Sequence, residues 1–140
     1  MRVLAIDPGE KKIGLAISDP AGVLATPLAV LKHISRAEDA NRIAQVASQN
    51  EVGLIVVGQA LDAEGLPTLQ SRRASRLAVA LRLVCAIPVC LWDESSSTQA
   101  ARAARIAMGS SPRNRGGHLD DIAATIILQD FLEQHRGDRS

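Results

Sequence analysis

Residues 53–57, Gly-Leu-Ile-Val-Val, are an apolar run closed by a further glycine, Gly58. So short a run, with no polar residue alternating through it, reads as a strand buried on both faces. Such a strand belongs in the middle of a sheet. A parallel neighbour then requires a crossover of about a dozen residues or more, usually a helix. The chain supplies both parts. Residues 88–92, Pro-Val-Cys-Leu-Trp, repeat the buried-strand pattern and end on Asp93-Glu94. Between the two runs, residues 68–84 have helical spacing, with Leu77, Leu81 and Val84 inward and Arg72, Arg73, Arg76 and Arg82 toward solvent. Ahead of them, Ser35-Arg36-Ala37-Glu38 matches a capping box. The helix it opens runs to about Asn50 and aligns Ala37, Ala40, Ile43, Ala44 and Ala47.

The chain begins with a different pattern. Two apolar runs, residues 3–6 and 13–17, flank a turn rich in Pro, Gly and charge, which predicts a β-hairpin. Pro8 fixes φ and Gly9 permits positive φ, so the chain reverses directly after Asp7. Residues 23–31 predict a third strand, in which Pro27 removes a ladder donor and calls for an edge position or a bulge. A meander followed by two strand–helix units gives an α/β fold. The expected sheet is five-stranded and mixed, with three antiparallel and two parallel strands, and helices flank it.

At 140 residues, one domain over residues 1–135 with a frayed tail at 136–140 is expected. Hydrophobic residues are 46% and charged residues 22%, which fits a soluble globular protein. No apolar run approaches the ~18 residues of a membrane span. The amino terminus has no signal-peptide apolar region, so a cytoplasmic protein is expected. Cys85 and Cys90 match neither a redox nor a zinc spacing and read as reduced core thiols. The net charge of +1 conceals basic clusters at Arg72/Arg73/Arg76 and Arg113/Arg115. Trp92 and Phe131 are too few aromatics for a base-stacking platform.

Ser96, Ser97 or Thr98 caps an Ala-rich helix that stops at Gly109. Residues 110–117 predict a mobile loop, and residues 118–134 a final helix apolar nearly all round. In such a sheet, sites gather at the carboxyl ends of the parallel strands. Asp7 and Glu94 stand at strand ends, and Asp120-Asp121 open the last helix. Taken singly, each acid has a structural use: Asp7 as a turn cap, Asp93-Glu94 as a cap, Asp120-Asp121 as complements to the helix dipole. Spacing alone leaves Asp120 and Asp121 tied, because both share faces with apolar residues. Carboxylates flanked by Ala, Ile and Leu nevertheless need a partner, and a divalent cation is an economical one.

Four pieces of this chain, in order, resemble the YqgF/RuvX family, whose domain has the RNase H-like fold of the RuvC resolvases. They are Asp7-x-Gly9-x-x-Lys12-x-Gly14-x-Ala16; Val56-Val57-Gly58 with Gly65; Trp92-Asp93-Glu94 with Ser97-Thr98; and Asp120-x-x-Ala123-Ala124-x-x-Ile127-Leu128-Gln129. The resemblance implies an acidic triad of Asp7, Glu94 and Asp120 that holds Mg²⁺ or Mn²⁺ and performs the catalysis. Asp7 would bridge two ions, Glu94 and Asp120 would each hold one side, and Asp121 would assist. Lys12, Arg72, Arg113 and Arg115 would touch phosphates, positioning a strand without reading its sequence. The implied substrates are precursor 16S ribosomal RNA, cut toward its 5′ end, or a Holliday junction, for which a homodimer would be needed. The chain departs from the family in Lys12 and Ser95, where arginines are usual, and in Gln59-Ala60, where Leu-Pro is usual. A nucleic-acid-binding module without catalysis is the rival reading, and the three retained acids count against it. An actin-like ATPase would need two such domains, and no P-loop pattern is present.

Overall fold

A computed structural model of the chain describes residues 1–94 and 119–135. The order is β1 (Arg2–Pro8), β2 (Lys12–Ser18), β3 (Ala25–Lys32), α1 (Arg36–Gln49), β4 (Val52–Gln59), α2 (Leu69–Val84), β5 (Val89–Asp93) and α3 (Leu119–His135). The expected helix ending at Gly109, the loop at 110–117 with Arg113 and Arg115, Ser95 and the tail all lie outside the described residues.

The five strands form one mixed sheet in the order β3-β2-β1-β4-β5. β1, β2 and β3 pair antiparallel, while β4 pairs parallel with both β1 and β5. The two apolar runs therefore take up the parallel half, as their lack of alternation requires. Pro27 satisfies both of its constraints at once. β3 is an edge strand, and its register slips beside the proline, with Leu15 opposite Ala29 but Ala16 opposite Pro27.

Side chains alternate across the sheet, and this divides the core in two. Leu4, Ile6, Leu15, Ile55 and Val57 pack with Ile43, Ala47, Leu77 and Leu81 of α1 and α2. Val3, Ala5, Ala16 and Val56 pack with Ala124, Ile127, Leu128 and Phe131 of α3. Each buried Leu or Ile contributes about 1.5–3 kcal/mol. Gln129 fastens α3 to the start of β3: its Oε1 accepts from Ala25 N–H at 3.1 Å and its Nε2 donates to Val23 C=O at 3.3 Å.

Several local expectations change. Val84, expected inward, is 43% exposed because α2 ends there at the sheet's margin. Ala37 is exposed as well, since the first turn of α1 overhangs the sheet. Cys85 and Cys90 are unpaired thiols as expected, but they sit half-buried at the rim of the core. Burial pushes the Cys90 thiol above its ordinary range. Gly9 lacks positive φ, which among the described glycines belongs to Gly22 and Gly65. Space is what requires glycine at position 9. A Cβ there would lie 2.3 Å from the Lys12 carbonyl oxygen, which accepts the Gly9 N–H across the turn.

The box expected at Ser35–Glu38 forms in half, and a full one forms on α2. Ser35 Oγ accepts from Glu38 N–H on α1, and a reciprocal box forms on α2 between Thr68 and Ser71. α1 also buries a charge that the apolar pattern concealed. The side chain of Asp39 is 3% exposed and is held by His33, by Arg42 at 2.6 Å and by Ile34 N–H at 3.1 Å. Burial alone would raise its carboxyl, but these donors outweigh burial and hold it below the ordinary range. That contribution to stability is present at neutral pH and is lost as pH falls through the depressed value. Asp39→Ala is expected to cost about 2 kcal/mol at pH 7, less than for a fully buried pair because His33 and Arg42 reach solvent. Urea unfolding at pH 7 checks it, and a change within error would make the cluster ornamental.

Candidate active site

The carboxyl ends of β1 and β5 bring two acids to the α3 face of the sheet. Asp7 continues the alternation of Val3 and Ala5, and Glu94 continues that of Cys90 and Trp92, so both side chains emerge on the face that α3 covers. Beyond the last ladder pair, Glu94 N–H donates to the Gln59 carbonyl at 2.8 Å, which fixes the residue just past the strand. Its carboxyl is pushed up from 4.5 to about 7, first by burial, then by the charge of Asp7, then by that of Asp93. Asp7 and Glu94 are thus electrostatic neighbours. Their mutual repulsion is what a cation would relieve.

The surroundings of the pair are kept small. Gly14 is the β2 partner of Asp7. On the other side, Gly58 stands one residue beyond Val57, the partner of Ile6. Glycines therefore flank Asp7 on both neighbouring strands, where no side chain of β2 or β4 stands beside the carboxylate. The space at Gly58 is taken by others: a Cβ there would lie 2.5 Å from Ile127 Cδ1 and 2.9 Å from Glu94 Oε2. Gly58 is what lets the carboxylate lie down against the sheet beneath α3. The spacing of acids gave no hint of this, yet glycine inside a buried strand is itself a signal of close approach.

Gly58→Ala is accordingly expected to destabilise by about 1–3 kcal/mol through overpacking and to displace Glu94. Adding Ile127→Val, which removes the Cδ1 atom, should restore most of the stability without restoring the carboxylate's position. Denaturation and cleavage assays on the single and double variants separate the two effects. Full activity in the double variant would show that Glu94 tolerates displacement.

Trp92 forms the wall beside Glu94. Its Nε1 donates to Asp130 Oδ2 at 2.9 Å, and its ring meets Phe131 edge-on at 5.4 Å. That bond closes the ring against α3 and holds the end of β5 in place.

Asp120 and Asp121 fall on the first turn of α3, and their side chains lie outside what the structure describes. Among the described residues, no group of three or more His, Cys, Asp or Glu side chains is placed to hold a metal ion. The described pair nevertheless fits a hard cation: two carboxylates, one of them reluctant to ionise, on the face of the sheet that α3 covers. Lys12 is exposed where β2 leaves the turn, next to the site. Arg72 lies elsewhere, on the opposite face of the sheet, lining a cavity under Pro8.

The five-stranded mixed sheet with helices on both faces is the RNase H-like fold of the RuvC resolvases. Thermus thermophilus RuvC in complex with a Holliday junction substrate superposes with a TM-score of 0.64 at 18% identity, over 98% of this chain and 96% of that one. A fowlpox virus resolvase bound to Holliday junction DNA superposes with a TM-score of 0.57 at 13% identity, over 96% and 98%. At these identities the likeness is one of fold. Sequence narrows it further: the chain belongs to the RuvX family, described as Holliday junction resolvase, whose sequence profile matches residues 1–134. A protein of Thermoanaerobacter pseudethanolicus is 35% identical over 137 residues, 97% of this chain and 99% of its own length. One of Roseiflexus sp. strain RS-1 is 36% identical over 135 residues, 96% of each. Both carry the name "Putative pre-16S rRNA nuclease". No described helix is long and apolar enough to cross a membrane.

Proposed function

We propose that this chain is a divalent-metal-dependent endonuclease acting on structured nucleic acid, with precursor 16S ribosomal RNA as its substrate in the cytoplasm. The observation that carries this is the Glu94 carboxyl, half-buried beside Asp7 at the end of the sheet and pushed up to about 7. A structural cap is solvated or hydrogen-bonded and ionises easily, whereas this pair is set against itself until a cation arrives. The RNA substrate follows the names of the relatives at about 35% identity, which cover nearly the whole chain.

Asp7 and Glu94 would hold Mg²⁺ or Mn²⁺ from the sheet, with Asp120 completing the set from α3. The bound cation supplies charge neutralisation at the phosphate and an acidified water as nucleophile. The chain's own part is arrangement. Gly58 gives the Glu94 carboxylate its place against the sheet. Lys12, at the mouth, draws and orients the backbone, and Trp92 and Ile127 close the inner side. Lys12 and its neighbours contact phosphates, which positions a strand without selecting its bases.

The junction reading rests on the complexes of the two structural neighbours and would require a two-fold pair of chains cutting symmetrically. One comparison tests both. Wild type and Asp7→Asn are incubated with precursor rRNA fragments and with four-way DNA junctions, in Mg²⁺ or Mn²⁺. Cleavage of the RNA by wild type alone supports the proposal. Symmetric cutting of the junction alone replaces the substrate, and equal cleavage by both proteins removes the site.

A further inference from the structure

Where β1 ends, successive side chains go to opposite faces: Asp7 toward α3, and Pro8 toward α1 and α2. On the Pro8 side lies a cavity of about 360 Å³. Its walls are Pro8, Gly9 and Ile13 of the first hairpin, His33 and Arg36 at the entry to α1, and Leu69, Arg72, Arg73, Arg76 and Leu77 of α2, with Asp39 at its base. A volume in the range of ~300–1,000 Å³ is that of pockets for small organic ligands, more than a lone phosphate ion fills.

The charge in this cavity is one-sided. Among the described residues, the guanidinium groups of Arg36, Arg72, Arg73 and Arg76 make no ion pair and no hydrogen bond. The one acid on the wall, Asp39, is already engaged by His33, Arg42 and the Ile34 N–H. Its negative charge is therefore already compensated by partners other than the four arginines. Three of these arginines stand on a single helix, Arg72 and Arg76 one turn apart and Arg73 beside them, so they converge on one volume. Unneutralised guanidinium groups around a concavity, with an apolar wall of Pro8, Ile13, Leu69 and Leu77, match a phosphate and its attached sugar and base.

The cavity is also connected to the acidic pair. Gly9 lines it, and the turn from Gly9 to Lys12 rises between the two faces, carrying Lys11 and Lys12 exposed. His33 N–H donates to the Lys11 carbonyl at 2.9 Å and ties this turn to the cavity's other wall. A backbone can pass from the arginines over the two lysines to Asp7.

We propose that this cavity is a second nucleic-acid subsite. In it Arg36, Arg72, Arg73 and Arg76 grip one nucleotide phosphate of the strand whose scissile phosphate sits across the hairpin at Asp7 and Glu94. The inference rests on the nuclease reading above for the identity of the strand. It assigns Arg72, and with it Arg36, Arg73 and Arg76, to a site on the far side of the sheet from the carboxylates. The strand is thus held at two places on either side of the β1–β2 turn.

The test uses the full chain in a metal chelator, so that no strand is cut, with a fluorescently labelled single-stranded RNA 12-mer titrated at several salt concentrations. In Arg36→Gln/Arg72→Gln the affinity at low salt is expected to fall about tenfold, and the log–log salt slope to become shallower by about 1.4, the value for two lost phosphate contacts on a single strand. Arg2→Gln removes a charge at the opposite end of β1 and should change the slope by less than half as much. A slope change in Arg2→Gln half that of the double variant or more overturns the subsite, because the effect then follows the number of charges removed and not their place. Adenosine monophosphate titrated alone separates the sources. If it binds wild type and not the double variant while 12-mer binding is unchanged, the cavity serves a free nucleotide and the strand proposal fails. Cleavage by Asp7→Asn at the wild-type rate would remove the nuclease reading and leave this binding result standing.

Discussion

Asp7→Asn is expected to lower metal-supported cleavage by about three orders of magnitude, or roughly 4 kcal/mol of transition-state stabilisation, while leaving the fold intact. Asn at the end of β1 keeps the size and a carbonyl oxygen but loses the charge that a hard cation requires. Titration calorimetry with Mn²⁺ should show binding in wild type and none in the variant. Thermal stability without metal should hold or rise, because Glu94 is then freed of the repulsion that helps push its carboxyl up. Two results would count against this: equal Mn²⁺ affinity in both proteins, or a steep fall in melting temperature. The second would return Asp7 to the role of turn cap.

The stability of the metal-free chain should fall as pH rises through the window set by Glu94. Unfolded, this carboxyl ionises near its ordinary 4.5; folded, burial and the charges of Asp7 and Asp93 hold it protonated to about 7. Between those values the unfolded state releases its proton while the folded state keeps it, so ionisation favours unfolding. The gap corresponds to about 3 kcal/mol, absent below pH 4.5 and complete above pH 7. Glu94→Gln removes the penalty and should raise the melting temperature at pH 8 by about 10 °C over wild type in a chelator, with no gain at pH 4. Mn²⁺ should stabilise wild type, because it favours the ionised form, and should not stabilise Glu94→Gln. The variant should also fail to cleave. A wild-type melting temperature that is flat from pH 5 to 8, with Glu94→Gln no more stable at pH 8, would show that Glu94 faces water and that the acid pair is not assembled.

Most of the framework was legible in the sequence because it rests on local rules. Unbroken apolar runs at 53–57 and 88–92 predicted buried parallel strands: β4 is one, whereas β5 is parallel but half-buried, because it closes the strand order and is covered less fully. Pro27 predicted an edge or a bulge and sits at both. The first turn lies one residue later than the sequence suggests, since Pro8 still pairs with Ile13. Glycine is needed at position 9 not for positive φ but for the Lys12 carbonyl, a contact made across the hairpin. Asp39 escaped notice because one acid amid Ala and Ile on an amphipathic helix looks solvated. Its partner His33 lies before the helix, and only the folded entry to α1 brings the two together.

The sequence by itself determined the elements, their order and which acids close strands, since periodicity, punctuation and strand ends are properties of neighbouring residues. What only the tertiary structure decided is how faces meet. The parity of β1 sends Asp7 and Pro8 to opposite sides of the sheet, and β4 places Gly58 under Glu94 and Ile127. The arginines of α2, read from spacing as a solvated face, converge with Arg36 on one cavity because α1 packs beside α2. Register and helix packing bring together residues far apart in the chain, and the energy that selects them is burial over the whole core.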